Sequence, residues 1–586
     1  MIVIDCEVYR NYFLLSALHL PSGRVKHYEM YEGHPLDDSF RNVLRTNLSI
    51  GFNSRNFDIP ILVSAASGST TEELKALADD IIVNDKPAWQ LGYNLPPNWD
   101  HIDLIELAIG KSSLKIYGGR LGAPKLQDLP FDPDAEIAPE QREVLRRYCV
   151  NDLETTALLY NTLKPQIDLR ISLSDQYGVD MRSKSDAQIA EAILRAEYET
   201  LTGDTLGKPK FNPHLRFKYK DPKIIEFRSE SLQKLFERIL AHEFRLSDKG
   251  AVMMPSWLES DTVEVGGVKY QMGIGGLHSC EKRQYVETTA GMVLSDWDVA
   301  SFYPNIILQQ RLSPPSMGDA FLDVYQRIVD RRIDAKRSGD KVTADVLKIT
   351  VNGTFGKLGS RYSFLYAPQL LIQTTITGQL ALLMLIEMMS DAGIRCMSAN
   401  TDGIVLLCDK SQEQTMEEIA WDWMLRTSYE LERTDYISLA SRDVNNYVAV
   451  KPKGSVKGKG IFAPSSLAKN PDGQIVYDAV AARIAKGTPI SKTIRECRDI
   501  LKFVTVRRVQ GGGEWQGEYL GKAVRFYYSN AVDPGTTINY VKNGNKVPKS
   551  QGTKPLMTLP DSFPDDVNYA VYEESAKKLL WEVGYA

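Results

Sequence analysis

Short apolar runs of strand character alternate with longer stretches of helical period over the first 165 residues. Residues 3–6 and 49–52 read as strands and 141–163 as a helix, the pattern of an α/β layer domain. A helical stretch over about 172–200 follows, and a Lys/Pro-rich stretch at 207–222 reads as a boundary. Glycine punctuation recurs at Gly266-Gly267 and at Gly273-Ile274-Gly275-Gly276. Residues 290–310 predict a strand entering a turn, 318–357 two helices broken near Ser338-Gly339-Asp340, and 394–408 a hairpin. The segment 370–389 has the length of a membrane span. Its Gln373, Gln379, Glu387 and several threonines predict a buried helix of a globular domain instead. The chain shows no internal repeat and no low-complexity tract.

At 586 residues the chain exceeds one core and implies about three to five domains or subdomains of ~100–200 residues each. The net charge of −5 is uneven: residues 441–586 carry 22 Lys and Arg against 14 Asp and Glu, leaving −13 on the rest. A basic C-terminal segment beside an acidic remainder fits an element that grips duplex, since phosphate neutralisation supplies most sequence-independent affinity. A solvated charged surface is the alternative. The six cysteines are scattered without a C-x-x-C pair, which predicts reduced thiols and a cytoplasmic location. The opening Met1-Ile-Val-Ile reads as a strand, so no signal peptide is expected.

Carboxylates at strand ends and turns are the candidate chemistry. Asp298 follows the apolar run Met292-Val-Leu, and Asp402 lies in the turn of the expected hairpin. Two such acids on adjacent strands make a site for two divalent cations about 3.5–4 Å apart, as nucleotidyl transfer requires. Asp296 shares the strand face of Asp298 and is its local rival; the distance to Ser301 and Tyr303 selects Asp298. Lys348 and Asn352 are four apart and share a helix face, and Arg332 and Lys336 repeat that spacing. Near the N-terminus, Asp5 and Glu7 lie two apart on a strand, so both face one side, while Tyr148 and Asp152 share a helix face.

Asp298-Val-Ala-Ser301-Phe302-Tyr303-Pro304, Lys348-Ile-Thr-Val-Asn352-Gly-Thr-Phe355-Gly356 and Asn400-Thr401-Asp402-Gly403 resemble, in order and spacing, motifs A, B and C of the family B DNA polymerases. Asp5-Cys-Glu7, Asn53 to Asp58 and Tyr148 to Asp152 resemble the three motifs of a DnaQ-like 3′–5′ exonuclease. The resemblance implies a primer-extending, proofreading DNA-dependent DNA polymerase. Its fold class would be multidomain α/β and α+β. An RNase H-like exonuclease domain would occupy 1–170, with a helical segment, connector and pre-palm region at 171–285. Palm would lie at 286–310 and 358–462, fingers at 311–357 and a thumb-like region at 463–586.

The resemblance also assigns roles. Asp298, Asp402 and the carbonyl of Val299 would hold two Mg²⁺, with Mn²⁺ as a substitute. Ser301 and Phe302 would meet the triphosphate through their backbone. Tyr303 would lie beneath the incoming sugar and exclude a 2′-hydroxyl, and Arg332, Lys336, Lys348 and Asn352 would bind the dNTP. Asp5, Glu7, Asp58 and Asp152 would hold a second metal pair, and Tyr148 would orient the attacking water. DNA contacts would come from Asn53, Phe57, Ser113, Leu114, Gly275, Gly276, Tyr447, Lys457 and Lys459. Partners would be primer–template DNA and dNTPs, with a single-strand-binding protein, helicase or primase beside them; a monomer off the membrane is expected. The compact length and residues 515–528 resemble phage-encoded members, which places the protein in a host cytoplasm. The short spacings between motifs leave little room for the insertions of protein-primed members, so an ordinary nucleic-acid primer is expected.

The chain departs from the family pattern in three motifs. Motif C has Asn400 where the family has a first aspartate and Gly403 where it has a serine, and its tyrosine is absent. The template motif Gly273-Ile274-Gly275-Gly276 lacks its aromatic residue. The primer motif Asn445-Asn446-Tyr447 lacks both lysines, with Lys451, Lys453, Lys457 and Lys459 close behind. A nuclease with a degenerate polymerase domain, and a non-catalytic DNA-binding protein, are the rival readings.

Overall fold

The computed structural model describes residues 1–585. They form two compact units: 1–185 with 465–475 and 494–572, and 186–464 with 476–493 and 573 onward. The expected boundary at 170 falls inside the 36-residue helix Arg142–Tyr177, which ends at Gly178 in a left-handed conformation (φ 66°). Most of the region expected as a separate C-terminal element belongs instead to the first unit. Backbone pairing explains this: Leu126 N–H donates to Met557 O (2.7 Å) and Leu559 N–H to Pro124 O (2.7 Å). The buried Arg525 guanidinium donates to Ala123 O (2.9 Å).

The first unit carries a five-stranded sheet in the order Arg24–Tyr31, Tyr12–His19, Ile2–Tyr9, Ser49–Gly51, His101–Asp103. The first three strands are antiparallel; the last two run parallel to Ile2–Tyr9. Alternation along Ile2–Tyr9 divides its faces. Ile2, Ile4 and Cys6 enter one core with Phe13, Ile59 and Leu74. Val3 enters the other, with Ile50, Ile102 and Leu153 of the long helix. Asp5 and Glu7 share the Val3 face, so strand period alone turns both acids toward the helix that carries Tyr148 and Asp152.

The second unit is built on a seven-stranded antiparallel sheet. Its order is Leu431–Tyr436, Met292–Val299, Gly403–Asp409, Arg395–Asn400, His278–Ser279, Val268–Gln271, Thr262–Val265. The apolar helix Pro368–Asp391 packs into its core, with Ile372, Ile376, Leu380 and Leu383 fully buried. Its polar residues each hold backbone. Gln373 pairs with both N–H and O of Lys220, Gln379 with N–H and O of Gly273, and Glu387 accepts from the N–H groups of Arg228 and Ser229. The stretch 207–222, expected as a boundary, is therefore part of this unit: Tyr219 is buried and its hydroxyl bonds Thr377 (2.9 Å). The two helices expected at 318–357 are Ala320–Ser338 and Lys341–Lys357, separated by Gly339 (φ 78°) and an Asp340 cap on Thr343 N–H. The Tyr325 hydroxyl donates to Val351 O (3.0 Å) and locks the pair.

Candidate active sites

Asp298 stands near the end of the strand Met292–Val299, opposite Gly403 on one side and Glu432 on the other. The hairpin Arg395–Asn400 to Gly403–Asp409 turns through Thr401 and Asp402, with Thr401 in the left-handed region (φ 61°). Three backbone bonds fix the turn beside the strand end: Val299 N–H to Asp402 O (2.7 Å), Thr401 N–H to Leu277 O (2.8 Å) and Asp402 N–H to Asn400 O (2.7 Å). Gly403 is required by this approach, because a Cβ there would overlap the Asp298 carboxylate.

Asp296, the rival of Asp298, is buried and already engaged: it accepts from the Tyr436 hydroxyl (2.7 Å) and from Lys457 Nζ (2.8 Å). Asp298 is half-exposed, with Lys457 Nζ 3.9 Å from its Oδ2. Burial, then the charge of Asp296, pushes the Asp298 carboxyl up to about 6, with Lys457 opposing and Asp402 adding to the rise. Asp402 is raised too, chiefly by burial. Carboxylates crowded until they resist ionisation are a donor set suited to hard divalent cations, whose charge relieves both burdens.

Next to these acids lies a pocket of about 270 Å³ lined by Val299, Ser301, Phe302, Tyr303, Arg332, Lys348, Asn352, Phe355, Thr401 and Asp402, with Pro304. Ser301 adopts φ 48°, a left-handed conformation that starts the helix Phe302–Gln309. The free N–H groups and positive dipole end of that helix border the pocket with Arg332 and Lys348, an arrangement receptive to anions. Arg332 Nη1 donates to Ser301 Oγ (2.8 Å). The Tyr303 ring packs on Phe355 (centroids 4.3 Å), and its hydroxyl donates to Gly275 O (3.0 Å). Phe302 is buried against Tyr429 and forms the pocket floor. Lys336 lies apart from this lining, exposed and 3.6 Å from Glu432.

In the first unit, Asp5, Glu7 and Cys149 place ligand atoms within 4.8 Å of one another. Asp58 opens the helix Asp58–Ala66, is buried, and accepts from Cys6 N–H (2.9 Å). Burial, followed by the charges of Asp58 and Glu7, holds Asp5 well above the usual carboxylate range. Burial and the charge of Asp152 push Glu7 up to about 8, against Lys115, and burial pushes Asp58 up to about 7. Lys115 Nζ reaches Asp152 (3.0 and 3.2 Å) and the Tyr148 hydroxyl. This donor set, too, fits divalent cations.

Sequence reading missed several of these residues. Asp103 is buried and accepts from the N–H groups of Asn53, Arg55 and Ile105, bracing the loop in which Asn53 takes φ 58°. Its signal was the alternation His101-Ile-Asp103. Lys115 directly follows Ser113 and Leu114, both expected to contact DNA, and Phe355 and Thr401 lie inside motifs B and C. The contact residues expected for DNA are placed as follows. Phe57 and Leu114 are partly buried against the two sheet cores, and Ser113 is the N-cap of Leu114–Leu121. Gly276 (φ 141°) lies against Thr401, with Gly275 bound by Tyr303. Tyr447 is buried with Leu294 and Met397, Lys459 N–H donates to its carbonyl, and Lys457 pairs with Asp296. Asn400 donates its amide to Val444 O (3.1 Å) and Asn445 Oδ1 (3.3 Å).

No protein-family model matches the chain, and no curated protein matches it. Among solved structures it is similar to that of the family B DNA polymerase from the hyperthermophilic archaeon Pyrobaculum calidifontis, at 15% sequence identity and a TM-score of 0.40, over 99% of this chain and 77% of that one.

Proposed function

We propose that the protein is a DNA-dependent DNA polymerase that extends a nucleic-acid primer and proofreads with a 3′–5′ exonuclease. The observation that carries the first half is the 270 Å³ pocket: residues from all three polymerase-like motifs, up to 103 positions apart in sequence, meet in one lining. A coincidental set of solvated residues would not converge. Arg332, Lys348 and the N–H groups at the start of Phe302–Gln309 neutralise the triphosphate. Tyr303, fixed by Phe355 and Gly275, fills the space a 2′-hydroxyl would need. In the other unit Asp5 and Glu7 bring ligand atoms together, and Asp58 and Asp152 are near enough that their charges raise the Asp5 and Glu7 carboxyls. The Tyr148 phenol is assigned the role of orienting the attacking water. The strand order of that unit's sheet supports the RNase H-like reading, and the antiparallel sheet and helical pair support palm and fingers.

Asp298, Asp402 and the Val299 carbonyl, and separately Asp5, Glu7, Asp58 and Asp152, are the residues that would hold Mg²⁺ or Mn²⁺; such cations supply phosphate neutralisation and a more acidic attacking hydroxyl or water. The resemblance of residues 515–528 to phage-encoded members is the ground for proposing replication of phage DNA in a host cytoplasm, as a monomer working with primase, helicase or single-strand-binding protein.

The test is a primer-extension assay in Mg²⁺, with and without dNTPs, on wild type and Asp402→Ala. Wild type extends when dNTPs are present and shortens the primer when they are absent; Asp402→Ala only shortens it. Wild type that shortens but never extends would overturn the polymerase reading in favour of a nuclease.

A further inference from the structure

The first unit carries a second large polar cavity, remote in sequence from every motif discussed so far. We propose that this groove binds a single nucleic-acid strand.

Its first wall is the strand Thr505–Trp515, paired with Glu518–Tyr528. The register slips between Arg508 and Gly513, and Gly511 and Gly512 take φ 82° and 93°. A bulge of this kind bends the strand and re-aims its side chains. Glycine is required at 512, where a Cβ would overlap the Tyr519 ring. The second wall is the turn after Asn539–Tyr540, closed by Tyr540 N–H to Asn545 O and Gly544 N–H to Tyr540 O (both 2.8 Å). Val541 N–H donates to Gly512 O (3.1 Å) and ties the walls together. Tyr540 packs its inner side on the core of Val509, Ile538 and Val547, so the ring is held in place.

The cavity between these walls measures about 720 Å³ and is lined by Arg508, Gln510, Tyr540, Lys542, Asn543 and Asn545. Among the described residues two cations, three amides and a phenol line it, and no carboxylate does. Arg508 and Lys542 make no ion pair among the described residues, whereas their neighbours Arg507 and Lys549 are both spent on Asp472 (3.0 and 2.7 Å). Unpaired cations facing an acid-free groove suit a polyanion. The amides add donors and acceptors that match base edges and sugars, and the fixed ring offers a stacking platform. Cations plus an aromatic platform are what single strands use; a duplex hides its base faces.

This inference extends the polymerase reading, and its test needs no dNTP and no chemistry. Binding of fluorescein-labelled oligo(dT), oligo(rU) and a blunt duplex to the full-length chain in EDTA is measured by anisotropy across a salt series. In Arg508→Ala/Lys542→Ala, oligo(dT) and oligo(rU) affinity falls about tenfold and the salt slope shrinks by about 1.4, the value for two lost phosphate contacts on a single strand. Tyr540→Leu weakens both by at least fivefold with the slope unchanged. Duplex binding changes less than twofold in either variant, and 5-iodouracil in oligo(dT) photo-crosslinks to Tyr540. Unchanged oligonucleotide affinity and slope in the double variant, or an equal loss on duplex, overturns the assignment. Wild type that binds strands through this groove yet never extends a primer would remove the polymerase reading and leave this one standing.

Discussion

Replacing Gly403 by alanine tests the geometry of the Asp298–Asp402 centre with a single methyl group. A Cβ at 403 would overlap Asp298 Oδ1 and lie 3.2 Å from both Asp298 Cγ and the Trp297 carbonyl oxygen. The strand cannot retreat, because Met292–Val299 is paired on both edges, with Gly403–Asp409 and Leu431–Tyr436. The carboxylate must therefore rotate. Leaving its rotamer costs about 0.5–1.5 kcal/mol, and the overpacking about 1–3 kcal/mol in all. A displacement near 1 Å in a reacting centre lowers rate by roughly a hundredfold. Single-nucleotide incorporation at saturating dNTP is thus expected to fall about a hundredfold in Gly403→Ala, with a lower melting temperature. Primer shortening without dNTP, which uses the other unit, stays at the wild-type rate. Gly403→Ser, although it restores the serine of the family pattern, carries the same Cβ and fares no better. Incorporation within twofold of wild type would refute the argument, and an equal loss of both activities would show unfolding rather than a displaced carboxylate.

Four further outcomes follow from the same structure. Asp5→Ala/Glu7→Ala is expected to abolish removal of a mispaired 3′ nucleotide while extension persists; degradation at the wild-type rate would remove the nuclease assignment. Tyr303→Ala raises ribonucleotide use strongly, whereas Tyr303→Phe keeps the ring, loses only the bond to Gly275 O, and raises it by about 2–10-fold at most, the worth of one hydrogen bond; unchanged rNTP/dNTP selectivity in the alanine variant sinks the steric-gate role. Asn400→Asp places an acceptor against the Val444 carbonyl and costs about 1–3 kcal/mol. Its melting temperature drops more at pH 8 than at pH 5, where a protonated carboxyl can still donate, and a variant as stable as wild type at pH 8 contradicts this. Because Glu7, Asp58 and Asp298 have carboxyls raised to about 8, 7 and 6, the folded state holds protons that the unfolded chain releases above about pH 4.5. Their stabilisation is complete below that pH and is lost as pH rises toward 8, so the melting temperature in EDTA falls over this window and the fall is shallower in Glu7→Gln; a rise with pH would refute the sign.

What the sequence revealed depended on how local its cause was. Strand period alone put Asp5 and Glu7 on one face, turn chemistry put Asp402 at a hairpin tip, and Gly339-Asp340 marked the break between two helices. Each is decided within a few residues of chain. The partners of these groups are decided elsewhere. Lys457 lies 161 residues from Asp296, and Asp103 braces a loop 50 residues before it. The polar residues of Pro368–Asp391 were legible as a sign against a lipid-facing helix, but their partners were not, since Gln373 and Gln379 serve backbone 153 and 106 positions away. The stretch 207–222 looked like a boundary for the same reason: its prolines and lysines are local facts, and the burial of Tyr219 beneath Thr377 is not.

The choice between Asp296 and Asp298 joins the two kinds of information. Sequence offered two aspartates on one strand face and preferred the second by its distance to Ser301 and Tyr303. The structure supplies an independent reason. Asp296 is already committed, its buried carboxylate accepting from both the Tyr436 hydroxyl (2.7 Å) and Lys457 Nζ (2.8 Å). Among the described residues Asp298 meets no such partner at hydrogen-bond distance; its nearest cation is 3.9 Å away, and Gly403 opposite has no side chain to crowd it. A carboxylate half-open to solvent, raised by its neighbours and left without a donor of its own is the one still available to a ligand. The pair Asp296–Lys457 then reads as the fixed wall against which that carboxylate is held.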